Sequence, residues 1–310
     1  MTWLPPFKRF ARAAMRRMPG RETAIRQAAL LPPRIKARFG RLIARLLEHP
    51  TAGMGFIDTN FGIAGGQRFR ISADARIETF YGTPETSIGE AHSLRLARIL
   101  AQRCDVFVDV GANHGLYLFY LRSLLPIRAH FIEPNPALFA ELQANVRCAR
   151  LSDVYGHQLA MTDREGRATF NLDATDPSMS SIEAFYGKSD HELREIEVEC
   201  TTFEAFAVQQ QIRNALVKAD IEGAAHLFMA GATGEFKRIA YLIIEPIGQT
   251  SEMLARVPNG VYCYYINGPR LEHKTADIQY NENEYNWLLC WQGPKELQQL
   301  VVHAGFEVVD

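Results

Sequence analysis

The chain has 310 residues, 47% of them hydrophobic and 22% charged. This profile fits one large or two modest folded domains and excludes a disordered, collagen-like or disulfide-stapled chain. The formal net charge of -1 conceals a division: residues 1–50 hold 12 Lys+Arg and 2 Asp+Glu, a balance of +10, so the remainder carries -11.

Cys104, Cys148, Cys200, Cys263 and Cys290 are scattered and form no C-x-x-C pair, which argues against a disulfide framework and a Cys-rich zinc site. No apolar run approaches the ~18 residues of a membrane span, and the start MTWLPPFKRF lacks the core of a signal peptide. The expected location is the cytoplasm.

In chain order, the first fifty residues contain 6 of the 15 prolines, so only short helices separated by breaks are expected there. From Arg34 to Glu48, Ile35, Phe39, Leu42, Ile43 and Leu46 recur at helical spacing among five basic residues. The commonest fate of such a basic amphipathic helix is to pack on the body; contact with an anionic lipid, glycolipid or nucleic acid is the functional alternative, and residues 1–50 as a segment are expected to meet an anionic glycolipid, a membrane surface or an acidic partner. The Gly-rich stretch from Met54 to Glu85 predicts a hairpin, and Ser87 and Glu90 have capping-box spacing before the helix AHSLRLARILAQ.

Strands and helices then alternate, as in a mainly parallel sheet covered by helices. Predicted strands are 105–110, 129–134, 154–160, 214–223 and 240–248, with closing strands VYCYYING and NWLLCWQG. Asn135 is placed to cap a helix that has Pro136 in its first turn. TDREGRATFNL reads as a hairpin, and PKELQQLVVHAGFEVVD as a final helix and strand. The expected organisation is a basic helical extension over 1–50 and one domain over 51–310, in which a hairpin and cap helix (51–104) precede the core (105–310).

In an open α/β sheet, ligands sit beyond the carboxyl ends of the strands. Asp109, Gly111, Glu133, Asp220, Glu222 and Glu245 all fall at or just past predicted strand ends. The turn DVGANHG has G-x-x-x-G spacing, not the G-x-G-x-x-G of a pyrophosphate-binding turn, and Asp109 precedes it. A carboxylate repels phosphate and attracts ammonium, so the spacing points to S-adenosylmethionine, which has an aminoacyl end and no phosphate. Glu133, at the next strand end, suits the two ribose hydroxyls, a feature shared with NAD-binding folds.

FVDVGANHGLY, FIEPNP, the A-M-T-D-R-E-G stretch, VECTTFEAF and VKADIEG, in this order, resemble the FkbM-type S-adenosylmethionine-dependent methyltransferases. The resemblance runs from about residue 54 to the end and is most specific over 105–225. It implies a class I, Rossmann-like methyltransferase fold with a mainly parallel seven-stranded sheet and helices on both faces. It also implies O-methylation of a hydroxyl, often on a sugar of a glycan, glycolipid or secondary metabolite. By motif, Asp109, Gly111, Asn113 and Gly115 would line the methionine end, Glu133 and Pro134 the ribose, and Ala160 and Asp163 the adenine. Asp220 and Glu222 would face the transferring methyl.

Asp220, Glu222 and His226 are the candidate bases for the acceptor hydroxyl. If the helix after Gly223 starts promptly, Glu222 and His226 share a face. Asp220, Glu222 and Glu245 are the carboxylates that would hold a divalent cation, but no ligand spacing demands one and no metal is expected. The Ser-rich loop 176–187 and Tyr264, Tyr265, Tyr285, Trp287 and Trp291 are candidates for an acceptor pocket, with Trp287 favoured as a core residue. Two other classes remain: an NAD-dependent oxidoreductase, which wants a denser glycine turn, and a non-catalytic partner protein that keeps the fold. Nucleic acid is not an expected partner.

Overall fold

The computed structural model describes residues 56–59, 69–72, 91–173, 180–182, 193–274 and 286–310. The basic helix 34–48, the Ser87–Glu90 capping box, Tyr285 and most of the loop 176–187 lie outside the described residues.

Two short strands, β1 (Phe56–Thr59) and β2 (Phe69–Ser72), pair antiparallel, followed by helix α1 (Ala91–Ala101). The main sheet then begins with β3 (Val106–Val110), α2 (Leu116–Leu124), β4 (Arg128–Ile132), α3 (Pro136–Cys148) and β5 (Val154–His157). Next come β6 (Ala160–Met161), β7 (Gly166–Asp173), β8 (Leu193–Thr201) and α4 (Phe203–Gln209). The chain re-enters the main sheet through β9 (Ala215–Ala219), α5 (Ala225–Ala232), β10 (Ile239–Ile244) and α6 (Thr250–Leu254). It closes with β11 (Tyr262–Asn267), β12 (Arg270–His273), β13 (Trp287–Cys290), α7 (Pro294–Val301) and β14 (Glu307–Val309).

The main sheet has nine strands in the order β14-β12-β11-β13-β10-β9-β3-β4-β5. From β10 to β5 all neighbours are parallel, whereas β13 runs antiparallel to both β10 and β11. The sheet is mainly parallel as expected, five of its eight neighbouring pairs being parallel, but it has nine strands where seven were expected. The turn after Asn267 folds β12 back on β11, and β14 adds parallel to β12, which lengthens one edge by two strands.

Side-chain alternation on the central strands separates two cores. Val106, Val108 and Val110 of β3 pack with Phe203, Phe228 and Met253 from α4, α5 and α6. Phe107 packs on the other side with Leu100, Phe119, Leu142 and Leu297 from α1, α2, α3 and α7. Helices therefore cover both faces, an arrangement that keeps parallel strands apolar throughout.

The expected strand 154–160 is two strands in different sheets. Only β5 joins the main sheet, while β6, β8 and β7 form a separate three-stranded sheet in that order. The expected hairpin within TDREGRATFNL is likewise corrected. Thr162 Oγ1 donates to the carbonyl of Arg164 and closes a turn there, but β7 pairs with β8 along its whole length from Gly166↔Cys200 to Asp173↔Leu193. Among the described helices none is long and apolar enough to cross a membrane.

Candidate active site

The chain leaves β3 toward β4 and β5 on one side and returns through β9 on the other, so strand order reverses between β3 and β9. That reversal opens a crevice at the carboxyl ends of the strands. A cleft partly open to solvent lies there. Gly111 and Asn113 from the turn after β3, Glu133 and Pro134 after β4, Ala160 of β6, and Asp220 and Glu222 after β9 all line it.

The turn after β3 must be tight because it abuts the turn after β9. Gly111 has φ +72, and a Cβ there would overlap the backbone carbonyl of Asp220; glycine alone meets both demands without strain. Asn113 also has positive φ, +50, and its N–H donates to Glu133 Oε2 at 2.8 Å. The N–H of Asn135 donates to Oε1 of the same carboxylate at 2.9 Å. Each Glu133 oxygen keeps a further acceptor site, since a carboxylate offers about four in all. Asn135 in turn caps α3, its Oδ1 accepting the N–H of Ala137 at 3.0 Å.

Glu133 is 5% exposed, and burial pushes its carboxyl up to about 7 against the two backbone N–H bonds that pull it down. Asp220 is less enclosed. Its Oδ2 lies 3.4 Å from the buried Lys218 Nζ, while Oδ1 has no hydrogen-bond partner among the described residues. Asn113 Oδ1 is similarly buried and unpartnered. Glu222 has φ +42, uncommon for a non-glycine residue, and its carbonyl accepts the hydroxyl of Ser181.

Four expected site residues do not reach the cleft lining. Asp109 points with Phe107 toward α2, where its Oδ2 accepts the N–H of Leu118 at 3.2 Å and the side chain is 3% exposed. Burial raises its carboxyl to about 7, Lys218 being the strongest opposing influence. Gly115 is the left-handed residue before α2, and its missing side chain accommodates Leu142, whose Cδ2 would lie 2.6 Å from a Cβ. Asp163 is exposed beside Arg164. His226 sits in the first turn of α5, while Glu222 is outside that helix, so they share no helical face; its Nδ1 meets Gln249 Oε1 instead. Glu245 is also absent from the lining.

The described aromatic candidates do not form an acceptor wall, and the core placement favoured for Trp287 holds. Tyr264, Tyr265 and Trp287 are at most 2% exposed and belong to the two cores, and Trp291 Nε1 donates to the carbonyl of Ile239. The opposite cleft wall is instead Met161 and Phe170 from the small sheet with Ser180 and Ile182. The alternation of Ala168, Phe170 and Leu172 was the available signal for this wall. Among the described residues no group of three His, Cys, Asp or Glu side chains is placed to hold a metal ion.

Residues 109–258 match the methyltransferase FkbM domain model. This segment belongs to the FkbM methyltransferase family. It spans just under half of the chain and contains the turns after β3, β4 and β9 that meet at the cleft. No curated protein matches in sequence. Among solved structures, an O-methyltransferase from Bacillus cereus in complex with SAH is 11% identical at a TM-score of 0.36, covering 64% of this chain and 79% of that one. A SAM-dependent O-methyltransferase from Thermotoga maritima is 9% identical, TM-score 0.36, covering 76% and 75%. A precorrin-6y C5,15-methyltransferase from Geobacter metallireducens is 11% identical, TM-score 0.35, covering 66% and 87%.

Proposed function

We propose that this FkbM methyltransferase uses S-adenosylmethionine to methylate a hydroxyl, on a sugar of a glycan, glycolipid or secondary metabolite. S-Adenosylmethionine supplies a methyl group on a positively charged sulfur and brings no phosphate. The cleft suits it. Gly111 lets the turns after β3 and β9 close together at the cleft, the remaining acceptor sites of Glu133 suit a ribose diol, and Ile132, Leu159 and Met161 offer apolar walls to an adenine. Asn113 Oδ1, buried and unpartnered, is a further acceptor for a donor group of the ligand.

The observation that carries the reading is Asp220, which lines the cleft with Oδ2 held by Lys218 and Oδ1 buried without a hydrogen-bond partner among the described residues. In our reading Asp220 orients the acceptor hydroxyl and takes its proton, a role that typically supplies ~100- to 10,000-fold. Glu222 flanks it, held in its left-handed conformation by Ser181. His226, engaged with Gln249 outside the lining, is a weaker candidate for the base. Holding two reactants in line inside such a cleft is worth ~7–11 kcal/mol, so positioning supplies most of the work.

The test is incubation with methyl-labelled S-adenosylmethionine and a fractionated host extract. Label stable to mild alkali in the carbohydrate fraction is the expected result. Label confined to protein or RNA would overturn the sugar assignment. Cofactor binding with no label in any fraction would favour a non-catalytic partner protein.

A further inference from the structure

Lys218 stands in the middle of β9 within the run ALVKA, and its side chain is 2% exposed. An ammonium in such a place is costly to bury unless carboxylates balance it. At least two among the described residues do so, from different directions. Asp109 is its register partner on β3, on the sheet face covered by α2, and Asp220 lies two residues further along, in the turn that forms the cleft wall. The ring of Tyr117, from α2, lies 5.2 Å from Nζ, a distance at which a π-face also favours a cation. On its other flank the register partner is Ile243 of β10, which brings no charge. Glu133, after β4, interacts electrostatically with both aspartates.

We infer that Lys218 is a positioning residue: its ammonium holds one oxygen of Asp220, fixes the orientation of that carboxylate in the cleft wall, and ties it to the buried Asp109. The inference deepens the function proposed above and rests on that reading for its catalytic meaning. A carboxylate free to rotate would divide its time among orientations, whereas one anchored through Oδ2 keeps a single one. The ammonium also lets Asp109, Asp220 and Glu133 gather at one strand edge, where three like charges would otherwise drive protons onto one another.

The test uses full-length protein with ¹³C-labelled aspartate, the Asp109 carboxyl signal being assigned by its loss in Asp109→Asn. In Lys218→Met the Asp109 titration midpoint should rise by one pH unit or more, and in Lys218→Arg, which keeps the charge, it should stay within half a unit of wild type. Affinity of Lys218→Met for S-adenosylhomocysteine, by calorimetry, should remain within threefold. Its rate of label transfer to the carbohydrate fraction should fall at least tenfold, and the double variant Lys218→Met/Asp220→Asn should be no slower than Asp220→Asn alone. An unmoved Asp109 midpoint, or fully additive losses in the double variant, would overturn the inference. A wild-type protein that transfers no label would overturn the proposed function instead, while the titration still reads the coupling to Lys218.

Discussion

Gly111 and Asp220 touch backbone to backbone across the switch point, the α-carbon of one lying against the carbonyl of the other. The two turns define the cleft together. A side chain at position 111 must therefore push the turn after β9 outward as well as adopt an unfavourable φ. Gly111→Val should lower unfolding free energy by at least ~2 kcal/mol, the order expected for a strained positive φ plus overpacking, and reduce affinity for S-adenosylhomocysteine more than tenfold. Denaturant unfolding and calorimetry check both; wild-type affinity would disconnect the turn from the ligand.

Asp220→Asn keeps the shape of the side chain and removes its capacity to take a proton. Turnover should fall by ~100- to 10,000-fold with donor affinity retained. Turnover near wild type would sink the role assigned to this carboxylate.

Glu133 gives a pH signature. Its folded carboxyl is raised to about 7 from 4.5 by burial, so the folded state binds more protons than the unfolded chain between those values. Stability from this group is complete below about 4.5 and is lost as pH rises through about 7. Glu133→Gln lacks the titration. Relative to wild type, the ligand-free variant should gain at least ~1 kcal/mol of stability between pH 5 and pH 8, as read by chemical denaturation. A pH-independent difference would show that Glu133 is not the titrating group.

The histidine pair behind β4 and β5 has the opposite sign. His130 Nδ1 and His157 Nε2 are 3.0 Å apart, and His130 stacks on Tyr155 and meets the edge of Phe206. Burial lowers His130 to about 4, with His157 and Arg128 disfavouring its proton further, and burial lowers His157 as well. Stability from this pair is present above 6.5 and lost as pH falls toward 4. His130→Phe should flatten that acid limb, measured as the change in unfolding free energy between pH 7 and pH 5. An unchanged limb would place the acid sensitivity elsewhere.

The +10 segment over residues 1–50 is proposed to bring the enzyme to an anionic membrane surface or acidic partner. Deletion of residues 1–50 should abolish co-sedimentation with phosphatidylserine-containing vesicles at low salt, where polybasic attraction is ~1 kcal/mol per residue near the surface. If the full-length protein does not sediment with such vesicles, the charge serves another purpose.

What could be read from the chain divides by range. The Asn135–Pro136 cap was legible because capping chemistry is local, and the glycine turn and strand-end carboxylates were legible because the sheet edge collects them. β8 was not, since Glu195, Glu197 and Glu199 on its outer face dilute the apolar alternation of Ile196, Val198 and Cys200. Asp109 was misplaced because a strand end does not say which way the last side chains point; the pleat sends it with Phe107, under the sheet edge. The His226–Gln249 contact joins α5 to the residue before α6, and no spacing near His226 announces it.

The small sheet has a consequence for how such a cleft can change. β6, β7 and β8 share no ladder with the nine-stranded sheet, yet Phe170 and Met161 face the cleft from them. Residues of β7 and β8 can therefore be exchanged, lengthened or reshaped without shifting the register of any strand that carries Gly111, Glu133 or Asp220. One wall is free to diverge between relatives with different acceptors while the other stays fixed, and grafting β7–β8 from one to another is a rational route to moving a substrate preference.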